Sequence, residues 1–344
     1  MINSICREIE LQKSFLALEE LETIYFGGGT PSILEIEEIH DILNTVSKYF
    51  SISKNPEITL EANPDDLSLP KVTALKSIGV SRLSIGIQSF EDKLLTFLHR
   101  AHNSAEAIAC VKNARLAGFT NISIDLIFSI PGQTMDNLNK DVEQALDLNP
   151  EHISVYSLTI EDNTVFGNWQ KKGKFVQIQD DESAKQFDLI ISRLAENGYE
   201  QYEISNFCRD ENYARHNTSY WKNSNYIGVG PGAHSYNGKI RQFNIPNNHK
   251  YMKSIKEGII PSEIEALDDK SLANEFLLTS LRTKWGCDVN KLKDQFNYDI
   301  LTIHKKKINI FNEAKLIFLE RDFLYLTRKG KFLADEIISD LFWI

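Results

Sequence analysis

The short segment at residues 24–32, with the sequence IYFGGGTPS, constrains the fold of this chain more than any other stretch. Its three apolar residues predict a buried strand, Gly27–Gly29 predict a sharp turn, and Pro31 with Ser32 predicts the start of a helix. Glycines at a strand end let a ligand approach the backbone, and a helix N-terminus offers unpaired N–H groups to an anion. A tight strand–helix turn without a ligand explains the same glycines, so both interpretations stay open.

The same strand-then-helix pattern recurs as far as about residue 160. We predict strands at 23–26, 58–61, 82–88, 121–128 and 152–158, and helices at 2–20, 34–50, 70–79, 91–98, from a Ser104 cap to Gly118 and from a Thr134 cap to Leu148. Without hairpin signals between them, these strands should pair in parallel through right-handed crossovers, which predicts a barrel or part-barrel. The predicted series begins with a helix and not with a strand. One edge of the first predicted strand would therefore have no neighbouring strand, as if an earlier strand were absent.

Each predicted strand carries a glycine turn or a polar residue at or near its carboxyl end. These residues are Gly27–Thr30 after the first strand, Glu61, Gln88 and Asp125 on the next three, and Ser157 with Thr159 on the fifth. Parallel barrels bind ligands at the carboxyl ends of their strands. A cap or a loop hydrogen bond explains each residue singly, but five strands together favour one polar site over an apolar barrel.

The pattern changes after residue 160. We predict a helix at 181–197, a strand-like segment at 199–207, a loop-rich region at 212–236, helices at 271–282, 288–296 and 300–319, a hairpin or wing at 323–331 and a helix from Phe332. These shifts predict three parts, namely a barrel core at 1–200, an aromatic and glycine-rich connection at 201–264 and a smaller, mainly helical domain at 265–344.

Composition narrows the class of protein. A net charge of -10 and a pI near 5.4 argue against nucleic acid as the main partner. No apolar run has the length of a membrane span, and the first residues lack a secretory core, so we expect a cytoplasmic protein. The four cysteines, at 6, 110, 208 and 287, are too far apart for a metal knuckle or a redox motif and are expected to be reduced.

Several ordered motifs resemble the radical S-adenosylmethionine proteins related to oxygen-independent coproporphyrinogen III oxidase. They are GGGTPS at 27–32, EANP at 61–64, SIGIQSF at 84–90, Arg100, NISIDLI at 121–127 and PGQT at 131–134. The HNTSYW segment at 216–221 resembles the HNxxYW signature of the heme chaperones in that group. The resemblance covers nearly the whole chain, and implies an α/β fold with a partial TIM-like barrel lacking its first strand, followed by a winged-helix-like C-terminal domain.

The resemblance also implies ligand-binding residues. Gly28 and Glu61 would line the S-adenosylmethionine that sits on an iron–sulfur cluster. Positions that hold a second S-adenosylmethionine in the oxidase branch are matched by Gly29, Thr30, Gln88, Arg100, Asp125 and Thr159. The residue types suit S-adenosylmethionine, because carboxylates accept hydrogen bonds from amines and hydroxyls and an arginine can pair with a carboxylate.

One family feature is absent from this chain. The family's CxxxCxxC loop, whose thiolates hold three irons of a [4Fe–4S] cluster, does not occur in the sequence. Met1 aligns within the family's first helix, so Cys6 lies beyond that loop and is not counted as a ligand. The absent strand and the absent cysteines together indicate an N-terminally shortened version, from a misplaced start codon or a broken gene. As written, the chain should not reductively cleave S-adenosylmethionine.

Together with the family resemblance, the segment at 216–221 predicts heme binding. His216 would be an axial ligand of heme iron, and Tyr220 and Trp221 would offer flat apolar faces to the macrocycle. A hydrogen-bonded loop histidine beside ordinary aromatic packing is the alternative for this segment alone, and His234 is a weaker candidate ligand whose expected role is structural. Heme and a heme-accepting protein are the partners implied by the resemblance, with a respiratory, membrane-associated acceptor and a homodimer as further options.

Three functions therefore stay open at this point. The first is a heme chaperone, which the family context favours. The second is a radical enzyme of the coproporphyrinogen oxidase type, which would need the absent cysteines. The third is an ordinary part-barrel lyase or aldolase with Glu61 and Asp125 as acid and base.

Overall fold

The computed structural model describes residues 1–16, 20–162 and 164–344. The chain forms two compact units. The barrel unit comprises residues 23–36 and 57–214, and the C-terminal unit comprises residues 1–22, 37–56 and 215–344. The sequence-based division at residues 200 and 264 stays a prediction.

Within the residues that the structure describes, the main sheet has seven strands. They are β1 (Leu21–Phe26), β2 (Ile52–Ala62), β3 (Arg82–Gln88), β4 (Ile122–Phe128), β5 (His152–Ser157), β6 (Glu200–Gln201) and β7 (Asn206–Cys208). Their order is β1-β2-β3-β4-β5-β7-β6. Strands β2 to β5 pair in parallel, which confirms the predicted α/β part-barrel, and β7 runs antiparallel to both β5 and β6.

Helices connect these strands and continue to the end of the chain. They are α1 (Ile2–Leu11), α2 (Ile36–Tyr49), α3 (Leu69–Ser77), α4 (Asp92–Phe97), α5 (Ser104–Leu116), α6 (Met135–Asp147), α7 (Val165–Lys171), α8 (Asp180–Glu196), α9 (Arg215–Trp221), α10 (Asn248–Lys256), α11 (Asp269–Leu281), α12 (Val289–Phe296), α13 (Ile300–Ile303), α14 (Lys305–Glu313), α15 (Arg328–Phe332) and α16 (Ala334–Asp340). Single 3-10 turns lie at Pro31–Ile33 and Pro64–Asp66.

The predicted helix at 2–20 is shorter in the structure. It ends at Leu11 with Gln12 as its C-cap, and Gln12 donates from Nε2 to the carboxylate of Glu8. The last positions of the prediction, 17–19, lie outside the described residues.

Two predicted helix caps have different outcomes. Thr134 caps α6 as predicted, since its hydroxyl accepts from the backbone N–H of Asn137 at 3.1 Å. The cap of α5 is Asn103 and not Ser104, because the Asn103 side chain accepts from the backbone of Glu106 at 3.0 Å. The Glu106 carboxylate in turn accepts from the Asn103 N–H, and this capping box moves the start of the helix by one residue.

The two faces of β3 differ in character. Leu83, Ile85 and Ile87 have no exposed surface and form part of the apolar core. Because side chains alternate along a strand, Arg82, Ser84, Gly86 and Gln88 lie on the opposite face. The barrel interior therefore receives a row of polar residues from this strand.

Two small antiparallel sheets belong to the C-terminal unit. The first has the order β10-β9-β8 and contains β8 (His234–Tyr236), β9 (Ile240–Asn244) and β10 (Ser262–Ala266). The second has the order β11-β13-β12 and contains β11 (Cys287–Asp288), β12 (Ile317–Glu320) and β13 (Phe323–Leu326).

The predicted helix at 300–319 is wrong in its last part. Helix α14 ends at Glu313, Lys315 has a φ of 56°, and residues from Ile317 onward form β12. A left-handed residue cannot continue a helix, so the chain turns there and pairs β12 with β13. The predicted hairpin is therefore present, but its first strand begins at Ile317. The helix that follows it begins at Arg328, with Thr327 as its N-cap.

The sequence predicts a loop at 216–221, and the structure places this segment on helix α9 instead. This matters for the site because residues four apart on a helix share one face. Among the residues described, no helix has the length and apolar character needed to cross a membrane.

Candidate functional site

The glycine turn after β1 is connected directly to Glu61 at the end of β2. The Glu61 carboxylate accepts from the backbone N–H of Gly28 at 3.2 Å and from the Tyr25 hydroxyl at 2.6 Å. Gly28 and Gly29 have φ values of 73° and 67°, which favour glycine, and a Cβ at either position would meet no atom within 4 Å. The turn therefore presents open backbone beside a fixed carboxylate.

Gln88 and Arg100 meet at Gly86 on β3. Arg100 donates from Nη2 to the Gly86 carbonyl at 3.1 Å and to the Asn63 side-chain oxygen at 2.6 Å. Gln88 has a φ of 70°, and its Nε2 would lie 2.8 Å from a Cβ on Gly86. Gly86 is needed because its missing side chain leaves room for both groups. The Arg100 Nε is buried and lacks a hydrogen-bond partner among the described residues, so it can donate to a ligand.

Asp125 is the carboxylate of β4 in this site. Burial raises its pKa to about 6, hydrogen bonds from Ser154 and Ser84 and the charge of Arg82 act in the opposite direction, and the charge of Glu61 raises it further. The Ser84 hydroxyl lies 3.3 Å from both Asp125 carboxylate oxygens. Glu61 therefore lies near enough for its charge to act on the Asp125 carboxyl.

A hydrogen-bonded chain of side chains lies next to Asp125. His152 contacts the Ser123 hydroxyl at 2.7 Å through Nδ1 and the Tyr202 hydroxyl at 2.8 Å through Nε2. Ser123 lies 3.4 Å from the Ser154 hydroxyl. Burial holds the pKa of His152 well below its usual range, so this imidazole is neutral. This series of hydrogen bonds therefore holds polar side chains in place beside Asp125 without adding a charge.

Arg82 is a buried cation that the sequence interpretation missed. Its exposed fraction is 1 %, and its Nε has no hydrogen-bond partner in the described parts of the chain. Its charge lowers the pKa of Asp125 and of His152. Side chains two residues apart on a strand lie on the same face, so the sequence could have placed Arg82 on the same face of β3 as Ser84 and Gln88.

Some of the predicted ligand-binding residues are not part of this set. Thr30 starts the 3-10 turn at Pro31–Ile33 and is half-buried, and Gly29 follows Gly28 in the open turn. Thr159 is exposed, lies two residues beyond β5 and has no hydrogen bond to the other predicted residues that the structure describes. The structure therefore assembles Gly28, Glu61, Gln88, Arg100 and Asp125, and leaves Thr159 at the rim.

The chemistry of these residues fits S-adenosylmethionine. Two carboxylates can accept from an amine and ribose hydroxyls, and the free Arg100 Nε can donate to a carboxylate. The open backbone at Gly28 and Gly29 allows close approach of a ligand.

The cysteines do not fit a [4Fe–4S] cluster. Cys110, Cys208 and Cys287 are buried singly on α5, β7 and β11, and Cys6 lies on α1. Burial raises the pKa of Cys110 and of Cys287 to about 12, which disfavours the thiolates that a cluster requires. Within residues 1–16, 20–162 and 164–344, no group of three His, Cys, Asp or Glu side chains could hold a metal ion.

In the C-terminal unit, α9 brings His216 and Tyr220 together. The His216 Nε2 lies 2.9 Å from the Tyr220 hydroxyl, and the ring centroids are 5.0 Å apart. Tyr226 packs edge-on against Tyr220 with its centroid at 4.6 Å. Burial raises the pKa of Tyr220 to about 12, so its hydroxyl stays protonated near neutral pH.

Trp221 does not share this face. Five residues separate it from His216, which places it roughly 140° around the helix axis. Its indole Nε1 is buried and has no hydrogen-bond partner in the described residues. The other candidate histidine, His234, is exposed on β8 and stacks on Phe243 with centroids 5.7 Å apart, in keeping with a structural role.

Comparison with known proteins identifies the family. The Radical SAM superfamily model matches residues 7–145, and the HemN C-terminal domain model matches residues 267–333. Heme chaperone HemW of Lactococcus lactis is 37% identical over 338 residues, which are 96% of this chain and 89% of the relative. The chain belongs to the HemW family. The Bacillus subtilis HemW protein is 36% identical, with 93% of this chain and 85% of that protein covered.

The fold has a close solved counterpart outside the HemW family. Coproporphyrinogen III oxidase (HemN) from Escherichia coli, a radical SAM enzyme, superposes with a TM-score of 0.85 at 21% identity. The match covers 98% of this chain and 82% of that chain. This likeness confirms the radical SAM fold followed by a C-terminal helical domain, while HemW membership favours the heme-chaperone interpretation over the oxidase and lyase alternatives.

Asp125→Asn should stabilise this HemW family member at pH 8 more than at pH 4.5. The pKa of Asp125 in the folded protein, about 6, exceeds its ordinary value of 3.8, so the folded state holds this proton more tightly than the unfolded state. The resulting contribution to the free energy of unfolding is fully present below pH about 4 and is lost as pH rises through 6. Asparagine stays neutral and avoids that loss. We expect a gain of about 1–2 kcal/mol at pH 8 relative to pH 4.5, measured by urea unfolding.

The exposed Asp136 provides the control for this measurement. It pairs with Lys140 one helical turn away, so Asp136→Asn should change the free energy of unfolding by less than about 0.5 kcal/mol at either pH. An equal effect of Asp125→Asn at both pH values would contradict the raised pKa.

Proposed function

We propose that this chain binds heme and transfers it to an acceptor protein. The proposal follows the activity for which its HemW relatives are named, at 30% to 37% identity over nearly the whole chain. The observation that carries it in the structure is the pairing of His216 with Tyr220 on one face of α9.

His216 would serve as the axial ligand of heme iron. A neutral imidazole is a standard iron ligand, and its Nε2 now engages the Tyr220 hydroxyl at 2.9 Å. The same nitrogen can exchange this hydrogen bond for iron, and Tyr220, 38 % exposed, offers its ring to the macrocycle. Trp221 lies on another face, so its buried and unpartnered indole N–H would serve as a donor to a polar group.

S-adenosylmethionine would bind in the barrel unit. Glu61 would accept from the amino group of one molecule, with the backbone at Gly28 beside it. A second molecule would use Gln88, Arg100 and Asp125, with Gly29, Thr30 and Thr159 at the edge. The carboxylates and the free Arg100 Nε are the groups that support this assignment.

The acceptor is a heme-binding protein that lacks its cofactor. A respiratory, membrane-associated protein is the acceptor class that we propose, in a cytoplasmic setting. A homodimer is the proposed assembly.

His216→Ala should weaken heme binding by about tenfold or more, since it removes the axial ligand. The measurement is an optical titration of the purified 344-residue chain with ferric heme. The control is His249→Ala, which removes an exposed histidine of α10 and should leave the dissociation constant unchanged.

Tyr220→Phe sharpens the same test. It removes the hydrogen bond that competes for Nε2 but keeps the ring, so heme binding should be retained or strengthened by up to about fivefold. Equal titrations for the parent and His216→Ala would refute His216 as the ligand, and no heme binding by the parent would refute the proposed function.

A further inference from the structure

A second histidine lies against aromatic rings in the barrel unit. His99 follows α4, and its ring centroid is 5.1 Å from that of Trp169 and 6.2 Å from that of Phe166, both on α7. Phe97 packs against Phe166 at 5.3 Å and against Phe175 at 5.4 Å. The aromatic cluster, defined as Phe97, Phe166, Trp169 and Phe175, is half-buried, whereas His99 is exposed.

The backbone at His99 is in a conformation that normally selects glycine. Its φ is 54°, and it follows Leu98, the C-cap of α4, at the position where helices usually end in glycine. In the described parts of the chain the imidazole has ring contacts but no hydrogen bond and no ion pair. A strained histidine that gains no hydrogen bond from its position is a candidate for a functional role.

The surroundings of His99 combine apolar and cationic groups. Val165 and Val176, next to the cluster residues Phe166 and Phe175 in the chain, are 61 % and 81 % exposed. The Lys174 Nζ lies 4.9 Å from the Trp169 ring centroid. An imidazole, flat rings, exposed apolar residues and a cation are the groups that recognise an iron porphyrin with carboxylate side chains.

We propose that His99 and the aromatic cluster form a second heme-binding site, located in the barrel unit. His99 is the iron ligand, Phe166 and Trp169 contact the face of the macrocycle, and Lys174 pairs with a heme carboxylate. This inference rests on the proposed function, because it assigns a second site for the same cargo. A chaperone with two histidine sites can hold heme at either one during transfer.

The test is an optical titration of the full chain with ferric heme, using His99→Gly. Glycine removes the imidazole and suits the left-handed backbone, so the variant should fold at least as well as the parent. In a His216→Ala background, His99→Gly should weaken the remaining heme binding by about tenfold or more, and free imidazole should restore it. His249→Ala in the same background should leave binding unchanged.

The outcomes separate the two proposals. Loss of the remaining binding with rescue by imidazole supports the second site. Unchanged binding when His99→Gly is added to the His216→Ala background overturns the second site. A parent chain that binds no heme refutes the proposed function itself, and the second site with it.

Lys174→Gln tests the orientation of the macrocycle. In the His216→Ala background it should weaken binding of heme by up to about fivefold, as expected for a partly exposed ion pair. Binding of heme dimethyl ester, which has no free carboxylates, should not change. Equal weakening for both compounds would overturn the carboxylate contact.

Discussion

Glu8→Ala should lower the free energy of unfolding by about 3–5 kcal/mol, because Glu8 is a fully buried carboxylate with four donors. Its Oε1 accepts from Gln12 at 2.7 Å and from Asn244 at 2.6 Å. Its Oε2 accepts from the Gly230 N–H at 2.8 Å and from the Tyr251 hydroxyl at 2.6 Å. Alanine would leave the Gly230 N–H and the Tyr251 hydroxyl buried without this acceptor. The amide N–H groups of Gln12 and Asn244 would keep only their bonds to backbone carbonyls.

The measurement is urea unfolding followed by circular dichroism at pH 7. The matched control is Glu10→Ala on the same helix, which removes an exposed partner of Arg7 and should leave the free energy of unfolding nearly unchanged. Equal effects of the two substitutions would show that Glu8 does not anchor α1 within the C-terminal unit.

Glu61→Gln should raise the dissociation constant for S-adenosylmethionine by about 30-fold or more, because truncating one partner of a charge-assisted pair costs about 2 kcal/mol or more. Glu61 is held by Gly28 and Tyr25, so it is positioned before the ligand arrives. The amide of glutamine would point N–H groups toward one of these donors and would not attract an amine.

Isothermal titration calorimetry of the 344-residue chain with S-adenosylmethionine measures this effect without requiring turnover. Glu196→Gln, at an exposed position of α8, should leave the dissociation constant unchanged. Unchanged binding in Glu61→Gln would remove Glu61 from the site, and parallel unfolding curves of both variants would separate lost binding from lost structure.

Hydrophobic periodicity predicts the part-barrel because its strands are short and buried. Strand β3 has the predicted bounds, Arg82–Gln88, and the polar residues at the strand ends meet where parallel strands predict. Periodicity alone does not predict where helices begin and end, because local chemistry decides those points. The cap of α5 lies on Asn103 because of its exchange with Glu106, and the chain leaves its helical path at Lys315 because the backbone there is left-handed.

The site was harder to predict where it depends on contacts distant in sequence. The pairing of Gly28 with Glu61 could be predicted, because the two residues end neighbouring strands. The burial of Arg82 and the hydrogen bond between His152 and Tyr202 could not, because they depend on which face of each strand points inward. The helical state of residues 215–221 was not predicted either, since seven residues are too few for a periodic signal.

The Glu8 anchor has a consequence for protein synthesis. All residues of the barrel unit have been made once the ribosome passes residue 214, but Tyr251 follows Glu8 by 243 positions. At about 5–20 residues per second, roughly 12–50 s elapse between their appearance. Until residues 230–251 have been made, the Glu8 carboxylate lacks three of its four donors, which belong to Gly230, Asn244 and Tyr251. The set of hydrogen bonds to Glu8 is therefore completed only after the whole barrel unit has been synthesised.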